Sequence, residues 1–147
     1  MILRVAAIVL SLVSAAWAEP VSVADIRVKD GDTIYYRNVE YRMIGYDSPE
    51  TKSVRWRKVS ADERALGEIS KARLDELLKS ASQIDLSEVQ CSCSVEKLAT
   101  GICNHKRKCG ILSVDGENVG KFLIAEELAV PYFCERTRCP KCLIGQG

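Results

Sequence analysis

The chain has 147 residues, of which 47% are hydrophobic, with 21 basic side chains set against 20 acidic ones. That length supports one ordinary domain with a core of its own. The near-neutral balance argues against a protein that coats nucleic acid by bulk charge, though not against a local basic site.

In chain order, residues 1–4 carry one positive charge at Arg4, residues 5–13 are almost wholly apolar, and Ala16-Trp17-Ala18 forms a small-x-small pattern ahead of Glu19 and Pro20. These are the three regions of a secretory signal peptide. The apolar run falls short of the roughly 20 residues needed to cross a bilayer. The expectation is a cleaved signal over residues 1–18, export to the periplasm or beyond, and no stable membrane insertion afterwards. Removing 18 of the 147 residues leaves 129, and the loss of Arg4 brings the balance to 20 basic against 20 acidic. The expected organisation is one domain over residues 19–133 and a cysteine-rich tail over 134–147.

Residues 21–28 alternate loosely and read as a strand. Asp30-Gly31-Asp32 is hairpin-turn chemistry, and residues 33–36 form the return strand. Arg37-Asn38 makes a second short turn before a third strand over 39–44. Pro49 ends regular pairing. A basic loop over 52–59 follows, carrying Lys52, Arg55, Arg57 and Lys58 beside Trp56. It suits either contact with a nucleic-acid backbone, Trp56 stacking on a base, or plain solvation. Ser60 and Glu63 form a Ser-x-x-Glu capping box that opens a helix over 61–79. Its expected apolar side is Ala65, Ile69, Ala72, Leu77 and Leu78. Residues 83–89 return to strand, extending as far as Cys93, and 109–114 form another. Asp115-Gly116 is a turn, and Asn118 caps a helix over 119–128 whose expected apolar face is Val119, Phe122, Leu123 and Ala125. From Pro131 onward the chain reads as irregular. The fold class expected is α+β, mainly β: a five-stranded, partly open OB-fold barrel with a helix between strands three and four and a C-terminal helix.

The seven cysteines are Cys91, Cys93, Cys103, Cys109, Cys134, Cys139 and Cys142. An exported chain favours disulfides, and an odd count leaves at least one thiol free or paired between chains. Zinc is the rival reading of Cys134-x4-Cys139-x2-Cys142, but a structural site takes a fourth ligand, and His105 is far away in sequence. Cys103 and Cys109 bracket the segment that holds Arg107. Disulfides there either stiffen that segment or simply staple a small secreted domain.

The meander brings Asp32, Arg42 and Asp47 to neighbouring strand ends. Clustered acids repel unless a cation neutralises them. Asp32 and Asp47 suit a hard cation such as calcium, which takes irregular all-oxygen sites. Glu50 faces the same region and can accept a proton from water. Arg42 offers a rigid fork for two phosphate oxygens.

The blocks VKDGDTI, YRMIGYDSPET, ALGEISKARLDELL and HKRKCGILSVDGENVGKFLIAEELAVPY carry a resemblance. Over residues 23–132 the chain resembles the secreted thermonucleases, also called staphylococcal-nuclease-like domains, whose fold is the OB barrel. The resemblance implies that Asp32 and Asp47 bind calcium, that Ser48 lends its backbone carbonyl, and that Asp30 stands in the outer shell. It implies that Arg42 and Arg107 clamp the scissile phosphate and that Glu50 is the catalytic carboxylate. The implied activity is cleavage of DNA and RNA to 3′-phosphate and 5′-hydroxyl ends. The chain departs from the family pattern in three places. His105-Lys106 replaces the usual Tyr-Gly before the second arginine. Glu127 stands where a glycine commonly ends the last helix, and a cysteine-rich tail replaces a third helix.

Two other functions fit the residues. One is a catalytically inactive nucleic-acid-binding OB module, although the charged residues such modules commonly lose are all present here. The other is an accessory protein of exopolysaccharide (succinoglycan) biosynthesis. The chain is similar to nuclease-like proteins given that label in its export signal and cysteine pattern. OB barrels also bind oligosaccharides, but the residues show no sugar chemistry.

Overall fold

The computed structural model describes residues 20–55 and 57–133. The expected signal peptide, Trp56 and the tail cysteines with their zinc reading lie outside the described residues.

The architecture is α+β. A short 3-10 turn, Val23–Asp25, leads into β1 (Ile26–Asp30), β2 (Thr33–Tyr36) and β3 (Val39–Met43). The three strands pair antiparallel in sequence order. Arg37 and Asn38 turn the second hairpin with φ of 48° and 68°, the left-handed pair that suits a tight two-residue connection. A short fourth strand, β4 (Gly45–Asp47), leaves the main sheet. The helix α1 (Ala61–Ser80) follows, then β5 (Ile84–Val89), a one-turn helix α2 (Val95–Ala99), a 3-10 segment Cys103–Lys106, and β6 (Lys108–Val114). The chain continues through β7 (Glu117–Asn118), α3 (Val119–Ala125) and β8 (Val130–Tyr132).

The main sheet runs β1-β2-β3-β6-β5, with β7 on β6. Its one parallel pairing, β3 with β6, sets Arg42 opposite Cys109. β1 and β5 end the path without pairing to each other, so the sheet is not a closed barrel. The first strand is shorter than expected because Ser22 caps the turn at 23–25, its hydroxyl accepting from Ala24 N–H at 3.3 Å. Strand β5 stops at Val89, before Cys91. Pro131, read as the start of an irregular tail, instead lies on β8, paired with Tyr46 of β4. A two-stranded ribbon has an open side where proline's missing N–H costs no ladder bond.

Ile34, Tyr41, Met43, Leu112 and Val114 of the sheet pack against Leu74 and Leu78 of α1 and Val119 and Leu123 of α3. The face of α1 differs from the expected one. Ala65, Ile69 and Ala72 are exposed, while Glu63, Gly67, Ser70, Leu74, Leu77 and Leu78 are buried. Close approach of backbone, rather than hydrophobicity, sets the first two turns. A Cβ on Gly67 would stand 2.8 Å from the carbonyl oxygens of both Pro49 and Glu50. The helix therefore rolls its smallest residues toward the loop that follows β4. On α3, Val119 and Leu123 are buried as expected, Phe122 is partly buried and Ala125 is exposed. That helix ends three residues early. Glu127, at φ 58°, donates to the Ile124 carbonyl, and Leu128 donates to the Leu123 carbonyl at 2.8 Å. This is a Schellman ending with a glutamate at its left-handed position.

Candidate active site

The predicted site residues lie on or beside the ends of strands. Asp30 closes β1 and Asp32 lies in the turn after it. Arg42 is on β3 opposite Thr33. Asp47 closes β4, with Ser48 and Glu50 in the loop beyond. Arg107 immediately precedes β6. The parallel pairing of β3 with β6 carries it to the same edge as Arg42, since Cys109, two residues later, lies opposite Arg42.

The Arg42 fork spans two carboxylates, pairing through one Nη with Asp32 Oδ1 and through the other with Asp47 Oδ1. The other oxygen of Asp32 accepts from Ser48 N–H at 2.8 Å and from Ser48 Oγ–H at 3.0 Å. Thr33 donates its hydroxyl to Asp32 Oδ1 at 2.9 Å. Asp32 is thus nearly saturated, as a buried carboxylate must be. Asp30 is buried beside it and accepts from the Asp32 N–H at 3.4 Å. Burial pushes the Asp30 carboxyl above the ordinary range, against the pull of Thr33 and Arg42. Glu50 is also pushed up, first by burial and then by the negative charges of Asp30 and Asp47. Burial and the like charge of Arg42 push the Arg107 guanidinium down. Arg42 is held by two carboxylates and Arg107 by Asn104, and both guanidiniums border the same cleft.

Asp30, Asp32, Arg42, Glu50 and Arg107 line one cleft of about 1480 Å³. Asp47 and Ser48 are outside its lining and reach it through Arg42 and Asp32. Lys52, Val54 and Arg57 of the basic loop form part of another wall. Arg57 is bound through an Nη to Glu63 Oε1 at 2.7 Å, which ties the loop to α1.

Three features escaped the sequence reading. Ser60 caps α1 as expected, accepting from Glu63 N–H at 3.1 Å. The Glu63 carboxylate, however, holds Arg57 and accepts from the Glu50 backbone N–H at 3.4 Å. It anchors the loop bearing the candidate base. Second, the cysteines pair Cys91–Cys109 and Cys93–Cys103, so both cysteines that bracket the Arg107 segment are bridged to the chain just after β5. Third, Asn104 takes hold of the Arg107 side chain. Disulfides at Cys103 and Cys109 were expected, and only their pairing was open; Glu63 was marked as a capping residue but not as the partner of Arg57 and Glu50, and nothing in the sequence marked Asn104.

The fit to a hard cation rests on donor chemistry: Asp32 and Asp47 offer carboxylate oxygens, and both pair with Arg42. Asp32 and Asp47 converge on one centre, the Arg42 fork. Among the described residues no group of three or more His, Cys, Asp or Glu side chains is arranged as a metal site. A cation there would have Asp32 and Asp47 as its carboxylate ligands.

The two described disulfides suit an oxidising compartment, and no described helix is long and apolar enough to cross a membrane. No family model and no curated protein matches the chain.

Proposed function

We propose that the protein is an exported, calcium-dependent phosphodiesterase that cuts DNA or RNA to 3′-phosphate and 5′-hydroxyl ends. In the same reading, the open sheet with α1 inserted before β5 is an OB-type barrel, and residues 1–18 are its export signal. The observation that carries the reading is that Arg42, Arg107 and Glu50 line one cleft, with Arg107 two residues before Cys109, the β6 partner of Arg42.

The roles follow from chemistry. Arg42 and Arg107 grip the non-bridging oxygens of a phosphodiester, where charge grows during in-line attack. Glu50, its proton affinity raised by burial and neighbouring acids, takes a proton from the attacking water. The new oxygen–phosphorus bond forms as the bond to the 5′-oxygen breaks, and that oxygen leaves as a hydroxyl by taking a proton from water. Asp32 and Asp47, with an oxygen of Ser48, would hold calcium. Calcium held there would supply positive charge beside the phosphate.

End-group analysis of a labelled single-stranded oligonucleotide tests this reading. Products with 3′-phosphate and 5′-hydroxyl ends, formed with calcium and absent with a chelator, support it. Binding of the oligonucleotide without cleavage points to an inactive nucleic-acid-binding module. Glycan binding that persists without calcium and in Glu50→Ala points to the polysaccharide role.

A further inference from the structure

The segment before Arg107 is conformationally costly. Asn104, His105 and Lys106 take φ of 49°, 54° and 66° in succession. Each left-handed non-glycine residue costs roughly 1–2 kcal/mol, with asparagine the most tolerant type. Such a run persists only where its surroundings over-determine it. Here the Cys93–Cys103 bridge fixes one end and the Cys91–Cys109 bridge fixes the other.

Between them, Asn104 uses both ends of its amide. Its Nδ2 donates to Cys109 Sγ at 3.2 Å and to Cys91 Sγ at 3.7 Å, the two sulfurs of one bridge. Its Oδ1 accepts from Arg107 Nη2 at 2.9 Å. Its backbone carbonyl accepts from Arg107 Nε at 3.2 Å and from the Arg107 backbone N–H at 3.1 Å. The amide orientation is chemically fixed, because a flipped amide would set NH2 against a guanidinium that has only donors.

We propose that Asn104 is a positioning residue that suspends Arg107 from the Cys91–Cys109 bridge, so that the guanidinium enters the cleft already oriented. The loop here has Lys106 directly before the arginine. The bridge and the Asn104 amide supply the rigidity that this loop needs to aim Arg107. The inference rests on the phosphodiesterase reading only in giving Arg107 a phosphate to grip. The suspension itself stands on the hydrogen bonds.

Two substitutions test it. Asn104→Gly accepts φ of 49° without strain, so the backbone is kept while both side-chain contacts are lost. Asn104→Asp keeps an oxygen toward Arg107 and also tolerates the left-handed backbone. In Asn104→Gly, kcat falls about 10- to 100-fold, the scale expected when a reacting group is misplaced by about 1 Å, while KM changes little. Asn104→Asp keeps the contact to Arg107 but loses the donor to the bridge sulfurs, so it recovers only part of that loss. An independent reading comes from 15N NMR of the Arg107 side chain. Restricted rotation gives distinct Nη signals in the wild type and in Asn104→Asp, and a single averaged signal in Asn104→Gly. Wild-type kcat in Asn104→Gly, or the same Arg107 signals in wild type and Asn104→Gly, overturns the proposal. Should the wild type cleave no phosphodiester, the phosphodiesterase reading falls, and the Arg107 signals still decide whether Asn104 positions the arginine.

Discussion

Glu63, on the first turn of α1, accepts a hydrogen bond from the backbone N–H of Glu50 at 3.4 Å. The same oxygen accepts from Arg57 at 2.7 Å. A buried carboxylate at a helix start thus fixes both the candidate base and the basic loop, and the helix N-terminus favours its negative charge. Glu63→Ala removes both contacts and leaves the Glu50 N–H without its acceptor. Urea unfolding is expected to show a loss of about 1–3 kcal/mol. Cleavage is expected to fall roughly tenfold or more as Glu50 shifts. Glu63→Gln keeps an acceptor and should retain part of both.

Gly67 meets the same loop from one turn further along. Alanine would normally favour a helix interior by about 0.8–1 kcal/mol over glycine. Here the new Cβ would stand 2.8 Å from two backbone carbonyl oxygens, those of Pro49 and Glu50. Backbone does not give way as a flexible side chain does, and overpacking costs about 1–3 kcal/mol. The clash outweighs the propensity gain. Gly67→Ala is expected to lower the urea midpoint and to reduce cleavage more than its stability loss alone explains, since it displaces Pro49 and Glu50 directly.

Glu127 occupies the left-handed position of the α3 ending, at φ 58°. Glycine adopts that conformation without the Cβ conflict. Glu127→Gly should raise stability by about 0.5–1 kcal/mol, the strain relieved less the added chain entropy. A thermal melt checks this, and cleavage should stay at the wild-type level.

Arg73 of α1 binds Glu126, just past α3, with Nε at 2.8 Å from one carboxylate oxygen and Nη2 at 2.8 Å from the other. That hydrogen bond and the charge of Arg73 hold the Glu126 carboxyl below its usual value. The sign follows from linkage. A depressed carboxyl stabilises the fold above the unfolded-state value and loses that contribution as pH falls through the folded-state value. The pair is partly exposed, so its worth is at most about 1 kcal/mol. Glu126→Gln should therefore cost a few tenths to about 1 kcal/mol at neutral pH, and the difference from wild type should vanish in acid below the ordinary glutamate range. Salt should shrink it as well.

Much of the fold was legible because local chemistry decided it. Arg37-Asn38, Asp115-Gly116 and the caps Ser60 and Asn118 act within a few residues of themselves, and each stands where the sequence put it. The face of α1 was legible only at its end, where Leu77 and Leu78 are buried as expected. Gly67 meets Pro49 and Glu50, and Ser70 meets Gly31, contacts 17 to 39 positions apart in sequence that helical periodicity does not register. The short β4 was missed because its partner β8 lies beyond α3. At the site, Asp32, Arg42 and Asp47 were readable from the hairpin ends, and the structure brings them into contact. The nearness of Arg107 depends on the parallel pairing of β3 with β6, and the role of Asn104 on disulfides whose pairing the sequence left open.

Calcium dependence with a single carboxylate removed tests the central claim most directly. Purified protein, with its disulfides intact, is incubated with single-stranded DNA in calcium and in chelator, beside Glu50→Gln. The account predicts cleavage by the wild type in calcium, none in chelator, and a loss of at least about 100-fold in Glu50→Gln, the scale of a general base. Calcium-dependent cleavage that Glu50→Gln leaves unchanged, or no cleavage under any of these conditions, would contradict it.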